Sequence, residues 1–133
     1  MRARRVFLDA NILFSAAYRE DSGLLRLWKP GGAALITSQY ALEEARRNLD
    51  EPEQRARLAA LAGKMMVIET AGAAPGLPPG VTLPEDDVPI LLAAIACRAT
   101  HLLTGDARAF GRYYGKTIGG VTVLKPSMFL AEK

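Results

Sequence analysis

The apolar positions change period along the chain, and the changes mark out its elements. Arg5 to Leu8 is a short apolar run suited to a buried strand, whereas from Ile12 to Arg19 the residues Leu13, Ala16 and Ala17 recur at helical spacing. A second helix is predicted over Ser22 to Lys29, where it would bury Leu24, Leu25 and Trp28 and stop at Pro30-Gly31-Gly32. Ala33 to Thr37 reads as the next strand. Ser38 can cap a helix running to about Asn48, with Ala41, Leu42, Ala45 and Leu49 on one face. Pro52 to Ala62 is predicted to be a helix ended by Gly63, followed by a strand over Lys64 to Ile68.

The Pro/Gly-rich stretch from Ala71 to Gly80 reads as a surface loop. Beyond it, Asp86 or Asp87 opens a helix that tolerates Pro89 in its first turn. This helix is apolar all round from Ile90 to Cys97, which predicts a buried central helix. His101 to Thr104 is a short strand, Asp106 to Arg112 a short helix, Val121 to Leu124 a last strand and Pro126 to Ala131 a last helix. Strands alternating with helices in this way imply an α/β fold whose parallel sheet is covered on both faces.

Composition narrows the class without changing that picture. With 133 residues, half of them apolar, the chain fits one domain that can bury a core without disulfides or a structural metal. The single cysteine, Cys97, excludes an intramolecular disulfide framework and suits a reducing, cytoplasmic setting. The basic start at Met1-Arg2-Ala3-Arg4-Arg5 is not followed by a secretory apolar region, because Asp9 and Asn11 interrupt it. The apolar run from Val88 to Cys97 is about half the roughly 20 residues that a membrane span needs, so no membrane role is expected. The net charge of +3 is mild, but most of the basic residues are arginine, the side chain best shaped for bidentate phosphate contacts.

Charge matters more by position than by sum. In a parallel sheet the C-terminal ends of the strands form one rim, where open α/β folds place their chemistry. Asp9 follows the first strand, Asp106 follows the strand from His101, Glu43 and Glu44 lie early in the helix after Thr37, and Asp86 and Asp87 sit at a helix start. Taken singly, an acid at such a position more often caps backbone N–H groups than does chemistry. Four segments delivering carboxylates to one rim are costly, however, unless a cation sits among them. All-oxygen donors without clustered Cys or His select Mg²⁺ or Mn²⁺ over zinc. Such an ion activates a water and clamps the oxygens of a phosphodiester, with no covalent nucleophile required. Cys97 reads as core and His101 as structural, so neither competes for that role. A helical wheel puts Glu44 beside Ala41 near the apolar face and turns Glu43 outward, whereas geometry does not choose between Asp86 and Asp87.

These residues resemble the PIN-domain ribonucleases, the family that includes the toxins of VapBC-type toxin–antitoxin pairs. The matching pieces are Val6-Phe7-Leu8-Asp9-Ala10-Asn11, Thr37-Ser38 with Glu44 following, Leu83-Pro84-Glu85-Asp86-Asp87-Val88-Pro89, and Leu103-Thr104-Gly105-Asp106-Ala107-Arg108-Ala109-Phe110. The resemblance implies a three-layer sandwich with a central, mostly parallel sheet. It implies that Asp9, Glu44, Asp87 and Asp106 form an acidic quartet holding Mg²⁺ or Mn²⁺, supported by Asn11 and Thr104. Choosing Asp87 over Asp86 rests on the family's Asp-x-Pro pattern. The implied activity is metal-dependent endoribonuclease cleavage, with an antitoxin and a homodimer as expected partners. The Pro/Gly loop looks longer than in compact toxins, so substrate and antitoxin specificity do not transfer with the resemblance.

Arg46 and Arg47 follow Glu44, and Arg108 and Arg112 follow Asp106, so cationic side chains flank two acidic segments and are candidates for RNA phosphate contacts. Tyr113-Tyr114 could stack on an unpaired base or serve the core. Tyr18, Trp28 and the same tyrosine pair are candidate surface contacts. Two other readings compete. One is a catalytically degenerate PIN-like domain that binds RNA or a partner protein. The other is a phospho-acceptor built on Asp9-x-Asn11, which is disfavoured because no lysine lies between Gly80 and Tyr114 to balance a phosphate.

Overall fold

The computed structural model describes residues 4–29, 33–69 and 76–132. The central element is β1 (Arg4–Leu8), in which Val6, Phe7 and Leu8 are fully buried. Burial on both sides of the pleat is what a continuous apolar run requires, and each such side chain contributes roughly 1.5–3 kcal/mol. Around it lie β2 (Ala33–Ser38), β3 (Met66–Ile68), β4 (His101–Leu103), β5 (Thr117–Ile118) and β6 (Val121–Leu124). The sheet order is β3-β2-β1-β4-β6-β5, parallel throughout except for the β5–β6 pair. The expected α/β sandwich with a mostly parallel sheet is thus observed, with helices covering the sheet.

The helices are α1 (Ala10–Tyr18), α2 (Gln39–Asn48), α3 (Pro52–Ala62), α4 (Val88–Ala96), α5 (Ala107–Phe110) and α6 (Pro126–Ala131). Helices α1, α2 and α3 pack together, and α4 packs against β2 and β4. Local chemistry sets their ends. The Ser38 hydroxyl accepts from the Ala41 amide at 3.1 Å, and Glu51 with Gln54 forms a reciprocal capping box ahead of Pro52. The C-terminal carbonyls of α1 are held by Arg57 of α3, whose Nε donates to Ala17 O at 2.9 Å and whose Nη2 donates to Tyr18 O at 3.1 Å.

Four elements depart from the sequence reading. The segment after Ser22 is a 3₁₀ helix over Gly23–Trp28 rather than an α-helix. Ser22 Oγ accepts from the Leu24 amide at its start, and Trp28 Nε1 donates to Leu61 O at its end, so side-chain bonds hold both ends of the short turn. The strand expected from Lys64 begins only at Met66, because Lys64 and Met65 still bond back to α3 carbonyls. Helix α4 is apolar all round but buried on one face only: Ile90, Leu91, Ala93 and Ala94 are inside, while Ala96 is exposed and Leu92 half-exposed. Cys97 is likewise half-buried at the end of α4 rather than deep in the core. Finally, β5 was not predicted. It pairs with β6 through Gly119-Gly120, both at positive φ, the geometry of a two-residue hairpin turn. Of the Pro/Gly stretch, residues 71–75 lie outside the described residues.

Candidate functional site

The strand order reverses between β1 and β4: the chain runs outward through β2 and β3 on one side and returns through β4 and β6 on the other. In such sheets the crevice beyond the strand C-termini at the reversal is the natural site for a ligand. Asp9 leaves β1 and Thr104-Gly105-Asp106 leave β4 at that crevice, with the Asp9 amide donating to Leu103 O at 3.1 Å.

Asp9 is the most constrained residue there, with 3% of its surface exposed. Its Oδ1 accepts from the Ala10 amide, as the N-cap of α1, and its Oδ2 accepts from Thr104 Oγ1 at 2.7 Å and Asn11 Nδ2 at 3.2 Å. Asn11 closes the network by accepting from the Gly105 amide at 2.8 Å through Oδ1. The Asp106 amide in turn donates to Thr104 Oγ1, and Asp106 Oδ1 caps α5 through the Ala109 amide. The helix caps are thus Asp9 and Asp106, while Asn11 and Thr104 hold the Gly105-Asp106 turn and orient Asp9. The bonds fill both lone pairs of Asp9 Oδ2 and leave one open on Oδ1 and the whole of Asp106 Oδ2.

The other two segments bring their acids to the same crevice. Glu44, on α2, is half-buried, whereas Glu43 is exposed and bonded to Gln39 at 3.1 Å. Asp87, at the start of α4, is half-buried and lies within the fields of Asp9 and Asp106, whereas Asp86 is exposed. Burial first, then the neighbouring carboxylates, raise the pKa of Asp87 to about 6. Burial also lifts Asp9 to about 6, with bonds from Thr104 and Ala10 opposing and the charges of Glu44 and Asp106 adding. Glu44 is raised by burial and by Asp87 and Asp86, partly offset by Arg47. All four predicted acids thus sense one another.

They do not yet touch. Among the described residues no group of three or more His, Cys, Asp or Glu side chains lies close enough together to hold an ion as it stands. The donor chemistry nonetheless fits a hard cation: the four acids offer carboxylate oxygens, and burial and mutual repulsion penalise the charges of Asp9, Glu44 and Asp87. Asp9 and Asp106 are fixed by their capping bonds, so convergence would fall to the half-exposed Glu44 and Asp87.

Of the arginines, Arg47 lies near enough to Glu44 to oppose its shift, while Arg46, Arg108 and Arg112 are exposed, the last with its guanidinium 6.0 Å from the Tyr113 ring centre. Tyr113 is turned inward, which removes the stacking reading for it, while Tyr114 is half-buried. Tyr113 is buried and its hydroxyl exchanges bonds with the Thr82 amide and carbonyl, and Tyr114 donates to Thr104 O at 2.9 Å. Trp28 is tied to Leu61 O at 3.1 Å, whereas Tyr18 is exposed. One residue of the site was missed by the sequence reading: Tyr40, one helical turn before Glu44 on α2, donates to Asp86 O at 2.9 Å. Its i, i+4 spacing from Glu44 was the available signal.

Fold and crevice define a mostly parallel α/β sandwich with an acidic switch point. Among solved structures, a chain in the crystal structure of VapBC2 from Rickettsia felis bound to a DNA fragment from their promoter shares this fold, with a TM-score of 0.63 and 16% identity over 91% of this chain and 98% of that one. No protein-family model and no curated protein matches the chain in sequence.

Proposed function

We propose that the protein is a metal-dependent endoribonuclease of the PIN-like toxin type, hydrolysing RNA phosphodiester bonds with Mg²⁺ or Mn²⁺. The observation that carries the proposal is the crevice itself: carboxylates from four separate segments lie within one another's fields where the strand order reverses, and burial raises two of them to pKa about 6. A fold normally avoids such a cost, and a cation offsets it. The fold shared with a chain of the VapBC2 complex supports the toxin reading and, with it, an antitoxin as partner; a second copy of the chain is proposed on the family resemblance alone.

In this reading Asp9, Glu44, Asp87 and Asp106 would hold the ion, which supplies Lewis acidity and a water activated near neutral pH. Thr104 and Asn11 fix Asp9 so that its open Oδ1 lone pair faces the crevice, and the Gly105 amide fixes Asn11. Arg47, with Arg46, Arg108 and Arg112, would draw the RNA backbone toward the acids without reading its bases.

The test is cleavage of single-stranded RNA with Mg²⁺ or Mn²⁺ by the wild type, Asp9→Asn and Asp106→Asn. Loss of at least about a hundredfold in each variant is expected, the scale on which electrostatic groups at a reacting centre act; equal activity in all three would refute the proposal. The separation of the carboxylates favours a second reading, a PIN-like domain that binds RNA or a partner protein without cutting. It predicts no specific divalent-ion binding by calorimetry and no cleavage by the wild type.

A further inference from the structure

Asp87 reaches the crevice where a 3₁₀ turn over Glu85–Asp87 runs into α4. Between Gly76 and Asp87 the chain forms no strand, and its inward pegs are Leu77, Val81 and Leu83. Tyr113 fastens the middle of the segment by bonding both the amide and the carbonyl of Thr82, at 2.9 and 3.1 Å. Beyond the turn and helix bonds within the segment and α4, the one described side-chain hydrogen bond onto Pro84 to Asp87 is Tyr40 Oη to Asp86 O, at 2.9 Å. Tyr40 sits one turn before Glu44 on α2, so this bond ties the peptide of Asp86-Asp87 to the helix that carries Glu44. No other described hydrogen bond connects the two segments.

We infer that Tyr40 is a positioning residue: its hydroxyl sets the distance between Asp87 and Glu44, the two acids that must converge if the crevice is to hold a cation. The inference deepens the proposed function and rests on it. Asp9 and Asp106 need no such tie, because each caps the helix that follows it. Glu44 and Asp87 have no side-chain capping bond of their own. The hydroxyl is suited to the task because a phenol donates one directional bond while its half-buried ring packs on the core. Burial and the charges of Glu44, Asp86 and Asp87 also raise its pKa, which keeps it protonated and able to donate.

The experiment pairs Mn²⁺ titration by calorimetry with amide hydrogen exchange, on the full-length wild type, Tyr40→Phe, Asp87→Asn and the double variant. Loss of one hydrogen bond of about 1 kcal/mol corresponds to about fivefold weaker Mn²⁺ binding in Tyr40→Phe. That loss should vanish in the Asp87→Asn background, because the bond acts through Asp87. A purely structural role would weaken both backgrounds equally. Exchange at the amides of Asp87 and Val88 should accelerate in Tyr40→Phe, with β1 and β4 unchanged. Unchanged Mn²⁺ affinity in Tyr40→Phe, or equal loss in both backgrounds, overturns the inference. If the wild type itself binds no Mn²⁺, the proposed function fails instead. Exchange then still judges the tie, and unchanged protection at 87 and 88 overturns it.

Discussion

At Asp9 the folded chain holds a carboxylate with 3% of its surface exposed, and burial, assisted by Glu44 and Asp106, lifts its pKa from 3.8 to about 6. The unfolded chain releases that proton near pH 4, so the native state binds more protons between about pH 4 and 6. Stability therefore falls as pH rises through that window and levels off above it. A shift of this size corresponds to about 3 kcal/mol. The stability difference between Asp9→Asn and the wild type is accordingly expected to move in the variant's favour by about 1–3 kcal/mol between pH 4 and pH 7.5 in the metal-free protein. Urea melts at the two pH values check this, and a variant destabilised equally at both would count against it. Added Mn²⁺ should stabilise the wild type and leave Asp9→Asn unmoved. A residue that costs the empty fold stability is one whose presence needs a functional reason.

Elements were the scale at which the sequence spoke most clearly. The Ser38 cap before α2, the Pro52 start and Gly63 end of α3, and Pro89 in the first turn of α4 were all legible, because capping and proline chemistry act within one turn. The resemblance supplied the quartet and the wheel preferred Glu44 to Glu43, but their convergence on one crevice needed the sheet order. Burial on one side of α4 was not legible, since an all-apolar helix carries no facial signal and only its packing against β2 and β4 divides it. Tyr40 was missed for a related reason: its hydroxyl bonds a backbone atom 46 positions away, and main-chain partners leave no trace in residue type. The α1–α3 contact belongs to this scale as well. Arg57→Ala removes two bonds to the last carbonyls of α1, and a loss of about 1–2 kcal/mol in denaturant melts is expected. Arg55→Ala is the comparison: its Nε reaches Leu49 O, beyond α2, so α1 amides should keep their exchange protection there and lose it in Arg57→Ala.

Across the whole molecule, the net charge of +3 conceals a division. Acids gather in the crevice at the strand C-termini, and Arg46, Arg47, Arg108 and Arg112 stand exposed on the segments that carry Glu44 and Asp106. If the ion offsets the quartet, RNA meets a surface more basic than the sum suggests. Binding of single-stranded RNA should then weaken steeply with salt. Arg47→Ala should lower affinity uniformly across sequences and reduce the slope of log K against log salt by about 0.7, the share of one phosphate contact. An unchanged slope would remove Arg47 from the RNA path.

The central claim is that these four carboxylates hold a divalent ion. Anomalous diffraction from crystals soaked in Mn²⁺ tests it most directly. A manganese peak is expected beside Asp9 and Asp106, with Glu44 or Asp87 turned inward to share it. Crystals that diffract well after the soak and show no peak in the crevice would contradict it.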